Sequence, residues 1–164
     1  MRTANDYGAP TRLIETTVAV NDARKKAMAQ KVAVALGGQD LAGKTVGVLG
    51  VTFKPNTDDM RDAPSLDILP ALQGMGASVQ AFDPEGRHEA EKLLPGVVFK
   101  SGPYEAADGA DVLLLLTEWD QFRALDLDRL KGLLTSPVVV DLRNVYKAAD
   151  MVRHGFTYVS IGRG

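Results

Sequence analysis

Two cations in this sequence stand where chemistry on an anion would be done. Lys54 lies in the polar loop Val51-Thr-Phe-Lys-Pro-Asn-Thr-Asp-Asp-Met-Arg-Asp-Ala-Pro-Ser65, directly after the apolar run Val46-Gly-Val-Leu-Gly50. Arg143 follows a second apolar run, Pro137-Val-Val-Val-Asp141. Short continuous apolar runs suit strands of a parallel sheet buried on both faces. Ligands of such sheets bind beyond the carboxyl ends of the strands. There, an Arg fork and a Lys point charge can share the oxygens of a phosphate. With one strand, Asp111–Leu116, between the two runs, two strand spacings put the chain ends roughly 10 Å apart. Long side chains close that gap around a diphosphate. The same residues also read as solvated surface cations with carboxylate neighbours, and the residues alone leave both readings open.

Other candidates carry less. Asp58, Asp59 and Asp62 offer three carboxylates, but Arg61 among them favours an ion-pair network or a helix cap over a metal site. Arg61 is equally able to reach towards a partner domain. His88 and His154 are isolated, with no Ser or Asp arranged as a triad, and read as structural or surface residues. Trp119 could line the ligand edge but reads better as packing. A dinucleotide site asks for Gly-x-Gly-x-x-Gly between a first strand and its helix. Here Gly47 and Gly50 fall inside the strand, and bulky residues from Val51 to Pro55 form the turn. Asp83, at the end of the second strand, stands where a ribose-binding acid would, but without the glycines it is weak evidence. The pattern argues against primary NAD binding by these residues.

The elements that must position these groups follow from the pattern. Residues 1–12, broken by Gly8 and Pro10, read as a loop. Leu13 to Leu36 lacks Gly and Pro and reads as one helix of about six turns, stopped by Gly37-Gly38. Its apolar residues lie on several faces, so it is expected to be a dimerisation element, a truncated element whose packing partner lies on a missing upstream segment, or a helix packed on its own sheet. Strands are expected at Val46–Gly50, Ser78–Phe82, Val97–Phe99, Asp111–Leu116, Pro137–Asp141 and Phe156–Ile161. Helices are expected at Pro64–Gly74, with Asp62 as N-cap and Pro70 awkward inside it, at Gly86–Leu94, Pro103–Asp108, Trp119–Phe122 and Asp126–Leu133, with helical content in Arg143–Arg153. This alternation gives an α/β, Rossmann-like doubly wound, mostly parallel sheet of about six strands, preceded by a long helix. Right-handed crossovers and two-sided covering leave few choices, and the strand order 3-2-1-4-5-6 is expected.

Composition narrows the function class. A length of 164 residues fits one domain plus an appendage, and 45% hydrophobic residues allow a real core. A net charge of −2 shows no basic excess for nucleic acid or a membrane surface. There is no cysteine, hence no disulfide framework and no thiol chemistry in this sequence. No apolar run nears the roughly 20 residues that span a bilayer, and the polar start is not a signal peptide, so a cytoplasmic domain is expected.

The run GKTVGVLGVTFKPNTDDMRDAPSLDI closely resembles the start of the C-terminal domain of the UDP-glucose 6-dehydrogenase family, within the wider nucleotide-sugar dehydrogenases. The opening YGAPTRLIETTVAVNDARKKAMAQKV resembles the end of that family's central helices, and LLLLTEWDQFRALD and VVVDLRNVY resemble later segments. The Phe-Lys-Pro-Asn-Thr-Asp-Asp-Met-Arg run fits bacterial UDP-glucose enzymes better than GDP-mannose or UDP-N-acetylmannosamine enzymes, which share the Phe-Lys and Arg pattern. The resemblance implies residues 1–38 as the end of a dimerisation and linker helix region and 39–164 as a UDP-sugar-binding domain. It implies Phe53, Lys54 and Arg143 as substrate-binding residues and Arg61 as a residue reaching towards NAD. The family's NAD domain and its catalytic Cys, in a Gly-Gly-Ser-Cys-Phe-Pro-Lys type motif, lie upstream and have no counterpart here. The expectation is therefore a C-terminal fragment of an NAD-dependent enzyme, a homodimer at full length, which oxidises UDP-glucose to UDP-glucuronate in two steps. On that expectation this fragment holds no catalytic residue and is inactive alone. A related sugar nucleotide as substrate, or a free-standing nucleotide-binding or interaction module, are the alternatives.

Overall fold

A computed structural model describes residues 11–162. The expected opening loop, apart from its last two residues, lies outside them. Helix α1 (Arg12–Ala35) leads into strand β1 (Thr45–Leu49), helix α2 (Ser65–Gly74) and strand β2 (Ser78–Phe82). Helix α3 (Arg87–Leu93), strand β3 (Val97–Phe99), helix α4 (Pro103–Ala107) and strand β4 (Val112–Leu115) follow. Two short helices, α5 (Asp120–Arg123) and α6 (Leu127–Leu133), precede strand β5 (Val138–Asp141), helix α7 (Ala148–Arg153) and strand β6 (Thr157–Ser160). The six strands form one all-parallel sheet in the order β3-β2-β1-β4-β5-β6, the order expected from the sequence.

Side chains alternate between the two sheet faces, so each central strand feeds two cores. On one face Val46, Val48, Val112, Leu114 and Val140 meet Ile68, Leu69 and Leu72 of α2, Ala90 of α3, and Ala29, Val32 and Ala33 of α1. On the other, Leu49, Leu113, Leu115 and Val139 meet Ala106 of α4, Phe122 of α5, Leu130 of α6 and Met151 of α7. Leu113, Leu114 and Leu115 are fully buried, and each contributes about 2–3 kcal/mol of transfer free energy. Trp119 lies in the second core, as the packing reading had it.

Two local expectations change. Asp62 does not cap α2: its backbone is left-handed, at φ 57°, and Pro64 holds the N-cap position. Ser65 instead anchors the helix start, donating from Oγ to the Val51 carbonyl. Pro70 is tolerated inside α2 because it lies on the exposed face, where water can serve the carbonyl left without its N–H partner. Helix α1 docks on this domain through its C-terminal part. Its buried residues are Ala29, Val32 and Ala33, and Lys25 pairs with Asp67 of α2 at 2.9 Å. The hydrogen bond to Asp67 raises the Lys25 ammonium above its ordinary pKa. Towards the N-terminus, Leu13, Ile14 and Val20 of α1 are exposed.

Candidate functional site

The site grows from the carboxyl ends of β1, β4 and β5, where Leu49, Leu115 and Asp141 lie in register. At the end of β1 the chain turns at Gly50, with φ 80°. A Cβ there would stand 2.5 Å from the Thr117 Cβ, so only glycine fits both the conformation and the space. The amides of Val51 and Thr52 then point at Asp83, whose Oδ2 accepts both, at 2.7 and 3.1 Å, and the Thr52 hydroxyl at 3.1 Å. Its Oδ1 accepts the amides of Glu85 and Gly86. Asp83 is buried and is an internal anchor for the turn, not a ribose ligand. Pyrophosphates bind to free amides at such turns. Here an intramolecular carboxylate already holds those donors, so the residues of this turn do not fit a primary dinucleotide site.

Beyond the turn the loop closes on itself. The Phe53 amide donates to the Asp59 carbonyl at 2.9 Å, and the Asp59 carboxylate takes the Arg61 guanidinium through both oxygens, at 2.9 and 2.8 Å. The hydrogen bond from Arg61 is the main cause that holds the Asp59 carboxyl at a pKa of about 2, with help from the Arg61 backbone amide and the nearby charge of Lys54. The folded pKa lies below the ordinary value of 3.8, so the pair's contribution to stability is present above that value and fades as pH falls through about 2. We expect a carboxyl-carbon NMR titration to find this midpoint, and Arg61→Ala to return Asp59 towards 3.8; an unmoved midpoint would count against the pair.

A matching loop follows β5. Buried Asp141 accepts the Arg143 amide at 3.0 Å with Oδ1, and with Oδ2 the Tyr146 amide at 3.0 Å and the Tyr158 hydroxyl at 2.7 Å. Asn144, left-handed at φ 54°, pairs with the Ile161 backbone in both directions. The Tyr146 hydroxyl donates to the Phe122 carbonyl, and burial, followed by the Asp141 charge, raises its pKa. Arg123 donates to the Val145 carbonyl at 3.1 Å. The Arg143 backbone is thus braced from β5, β6 and α5.

Between these loops and α1 lies a cleft of about 680 Å³. Phe53 and Arg143 line its sheet side with Leu116, Leu142 and Ile161, and Asn21, Lys25 and Met28 form the α1 wall. Phe53 is 47% exposed, which leaves an aromatic side chain available for stacking. The structure therefore brings Phe53 and Arg143 together. Lys54 and Arg61 stand outside the cleft lining, both exposed, on the loop that carries Phe53. The α1 wall was not foreseen, since nothing in the helix's own pattern marks Asn21 or Lys25. Nor was Glu118, whose carboxylate holds Arg143. His88 is exposed beside Glu89, and the His154 ring contacts the Asp150 carbonyl, which leaves both in the structural or surface roles expected.

The chain is 55% identical over 163 residues to a UDP-glucose 6-dehydrogenase of Rhizobium meliloti, covering 99% of this chain and 37% of that protein. It is 38% identical over 164 residues to UDP-glucose 6-dehydrogenase TuaD of Bacillus subtilis, covering 99% and 35% respectively. The chain thus spans little more than a third of the length of the curated relatives it matches. A solved UDP-glucose dehydrogenase from the archaeon Pyrobaculum islandicum superposes with a TM-score of 0.79 at 30% identity, over 96% of this chain and 34% of that one. Residues 47–148, most of the sheet and both loops of the cleft, match the UDP binding domain of the UDP-glucose/GDP-mannose dehydrogenase family, and the chain belongs to that family.

Proposed function

We propose that this chain is the UDP-sugar-binding part of an NAD-dependent UDP-glucose 6-dehydrogenase. One observation carries the reading: Phe53 and Arg143, from loops after different strands, line one cleft at the carboxyl edge of the sheet. Phe53 offers an aromatic face, and Arg143 a guanidinium on a braced loop. Lys54, one residue from Phe53, adds a flexible cation able to swing onto the diphosphate. Arg61 lies on the exposed end of the same loop and is assigned to contact NAD held by another part of the enzyme. The occupied amides at Val51 and Thr52 support that division, because they leave this chain without its own pyrophosphate cradle. In this reading the catalytic Cys and the NAD domain belong to the rest of the protein, and this chain binds without turning over. The whole enzyme is a cytoplasmic homodimer whose UDP-glucuronate feeds polysaccharide synthesis. Residues 1–38 then form the end of the dimerisation region and 39–164 the binding domain.

The test is calorimetric titration of this chain with UDP, UDP-glucose and NAD, repeated on Lys54→Ala and Arg143→Ala. The expected result is binding of UDP and UDP-glucose, weakened in both variants, with no measurable binding of NAD. Tight NAD binding would overturn the division of labour, and absence of UDP binding would overturn the half-site.

A further inference from the structure

We propose that Glu118 is the positioning residue that holds the Arg143 guanidinium ready for the diphosphate, an inference that rests on the UDP-binding reading above. Glu118 follows β4 and Arg143 follows β5, adjacent strands whose ends, Leu115 and Asp141, are in register. The carboxylate takes the guanidinium side-on. Nε donates to Oε2 at 2.5 Å and Nη2 to Oε1 at 3.1 Å. That edge uses two of the five guanidinium N–H groups, and the end-on edge of Nη1 and Nη2 is the one left to take a second oxyanion.

The rest of the loop is already fixed by Asp141, Asn144 and Tyr146, so the Arg143 side chain is the last freedom to be removed. Both side chains are about one-third exposed, at 35% and 31%, so the guanidinium is neither lost to solvent nor sealed off. Arg123 stands close enough for its charge to act on Glu118 as well. Burial alone would raise the Glu118 pKa, but the hydrogen bond from Arg143, the Glu118 backbone amide and the charges of both arginines outweigh it and keep the group ionised. A carboxylate so close to a phosphate also repels it. A positioning residue outweighs that repulsion because one clamped side chain spares the ligand the cost of ordering it.

The experiment titrates UDP and uridine into the wild-type chain, Glu118→Ala, Glu118→Gln, Arg143→Ala and the Glu118→Ala/Arg143→Ala double variant. Glu118→Ala is expected to weaken UDP about five- to tenfold, the cost of immobilising one rotamer-rich side chain, and to leave uridine unchanged. Glu118→Gln, which keeps one acceptor and folds as an isostere, loses about two- to threefold. On the Arg143→Ala background the Glu118 effect disappears. Tighter UDP binding by Glu118→Gln would make the carboxylate a competitor of the phosphate and overturn the proposal. An equal loss for uridine, or an undiminished loss without Arg143, would do the same. A wild-type chain that binds UDP beside an unchanged Glu118→Ala removes the positioning role alone. A wild-type chain that does not bind UDP removes the UDP reading with it.

Discussion

Arg143→Ala is expected to weaken UDP binding by about a hundredfold, the combined value of two charge-assisted hydrogen bonds at roughly 1.5 kcal/mol each. Uridine, which lacks the phosphates, should bind the variant and the wild type alike. The fold should not change, because the loop is held by groups other than the Arg143 side chain: the Arg143 amide donates to Asp141, the Asn144 side-chain amide to the Ile161 carbonyl and the Tyr146 hydroxyl to the Phe122 carbonyl. The side chain itself is 35% exposed and fills no core. Lys54→Ala should cost less, about tenfold, since an ammonium acts as a point charge on a flexible stem and gives up more entropy on binding. Raising the salt concentration should weaken the wild type more than Arg143→Ala, because only the wild type brings the guanidinium charge to the phosphates. Calorimetry at two ionic strengths reads all of this, and an unchanged dissociation constant in Arg143→Ala would remove Arg143 from the site.

The sheet was legible because its central strands β1, β4 and β5 are nearly uninterrupted apolar runs. Val112–Leu115 has no polar residue to mislead, and with strands and helices alternating, crossover handedness and two-sided covering leave few strand orders, of which the expected one is found. The same reasoning put Arg143, just past a buried strand, beside the cleft where the structure has it, but it put Lys54 there as well, and Lys54 stands outside the cleft lining. The misses concern groups whose roles are decided across the fold. Asp62 has the residue type of a cap, but the loop needs a left-handed turn there, and a residue at φ 57° two positions before the N-cap cannot serve α2. Glu118 is 25 residues from Arg143, and only the pairing of β4 with β5 brings them together. The α1 wall depends on how Ala29, Val32 and Ala33 seat the helix on α2, and an apolar pattern spread over several faces does not specify that docking.

Asp83 is the most instructive of these groups, and its removal carries the largest expected loss of stability. Asp83→Ala should destabilise the chain by about 4 kcal/mol, since buried amides left without a partner cost roughly 1–3 kcal/mol each and some will be recovered by water. Four backbone amides depend on the carboxylate, those of Val51, Thr52, Glu85 and Gly86, and Val51 and Thr52 are themselves buried. Space at the site is tight as well: the ideal Cβ position on Gly86 is 2.3 Å from the Thr52 methyl, so the two turns interlock around the carboxylate. Asp83→Asn separates charge from shape. It keeps one acceptor oxygen but turns an NH2 group towards amides that also donate, so it should recover little of the loss. Urea unfolding of the wild type and both variants measures this directly, and a loss below about 1 kcal/mol in Asp83→Ala, the range of an ordinary surface substitution, would mean that water or a shifted loop satisfies the turn instead. The outcome bears on function because the Phe53 loop starts from these amides. If the carboxylate is the anchor, the strand edge that elsewhere receives a pyrophosphate is here spent on holding Phe53 and Lys54 beside the cleft, and Asp83→Ala should weaken UDP binding even at temperatures where the variant remains folded.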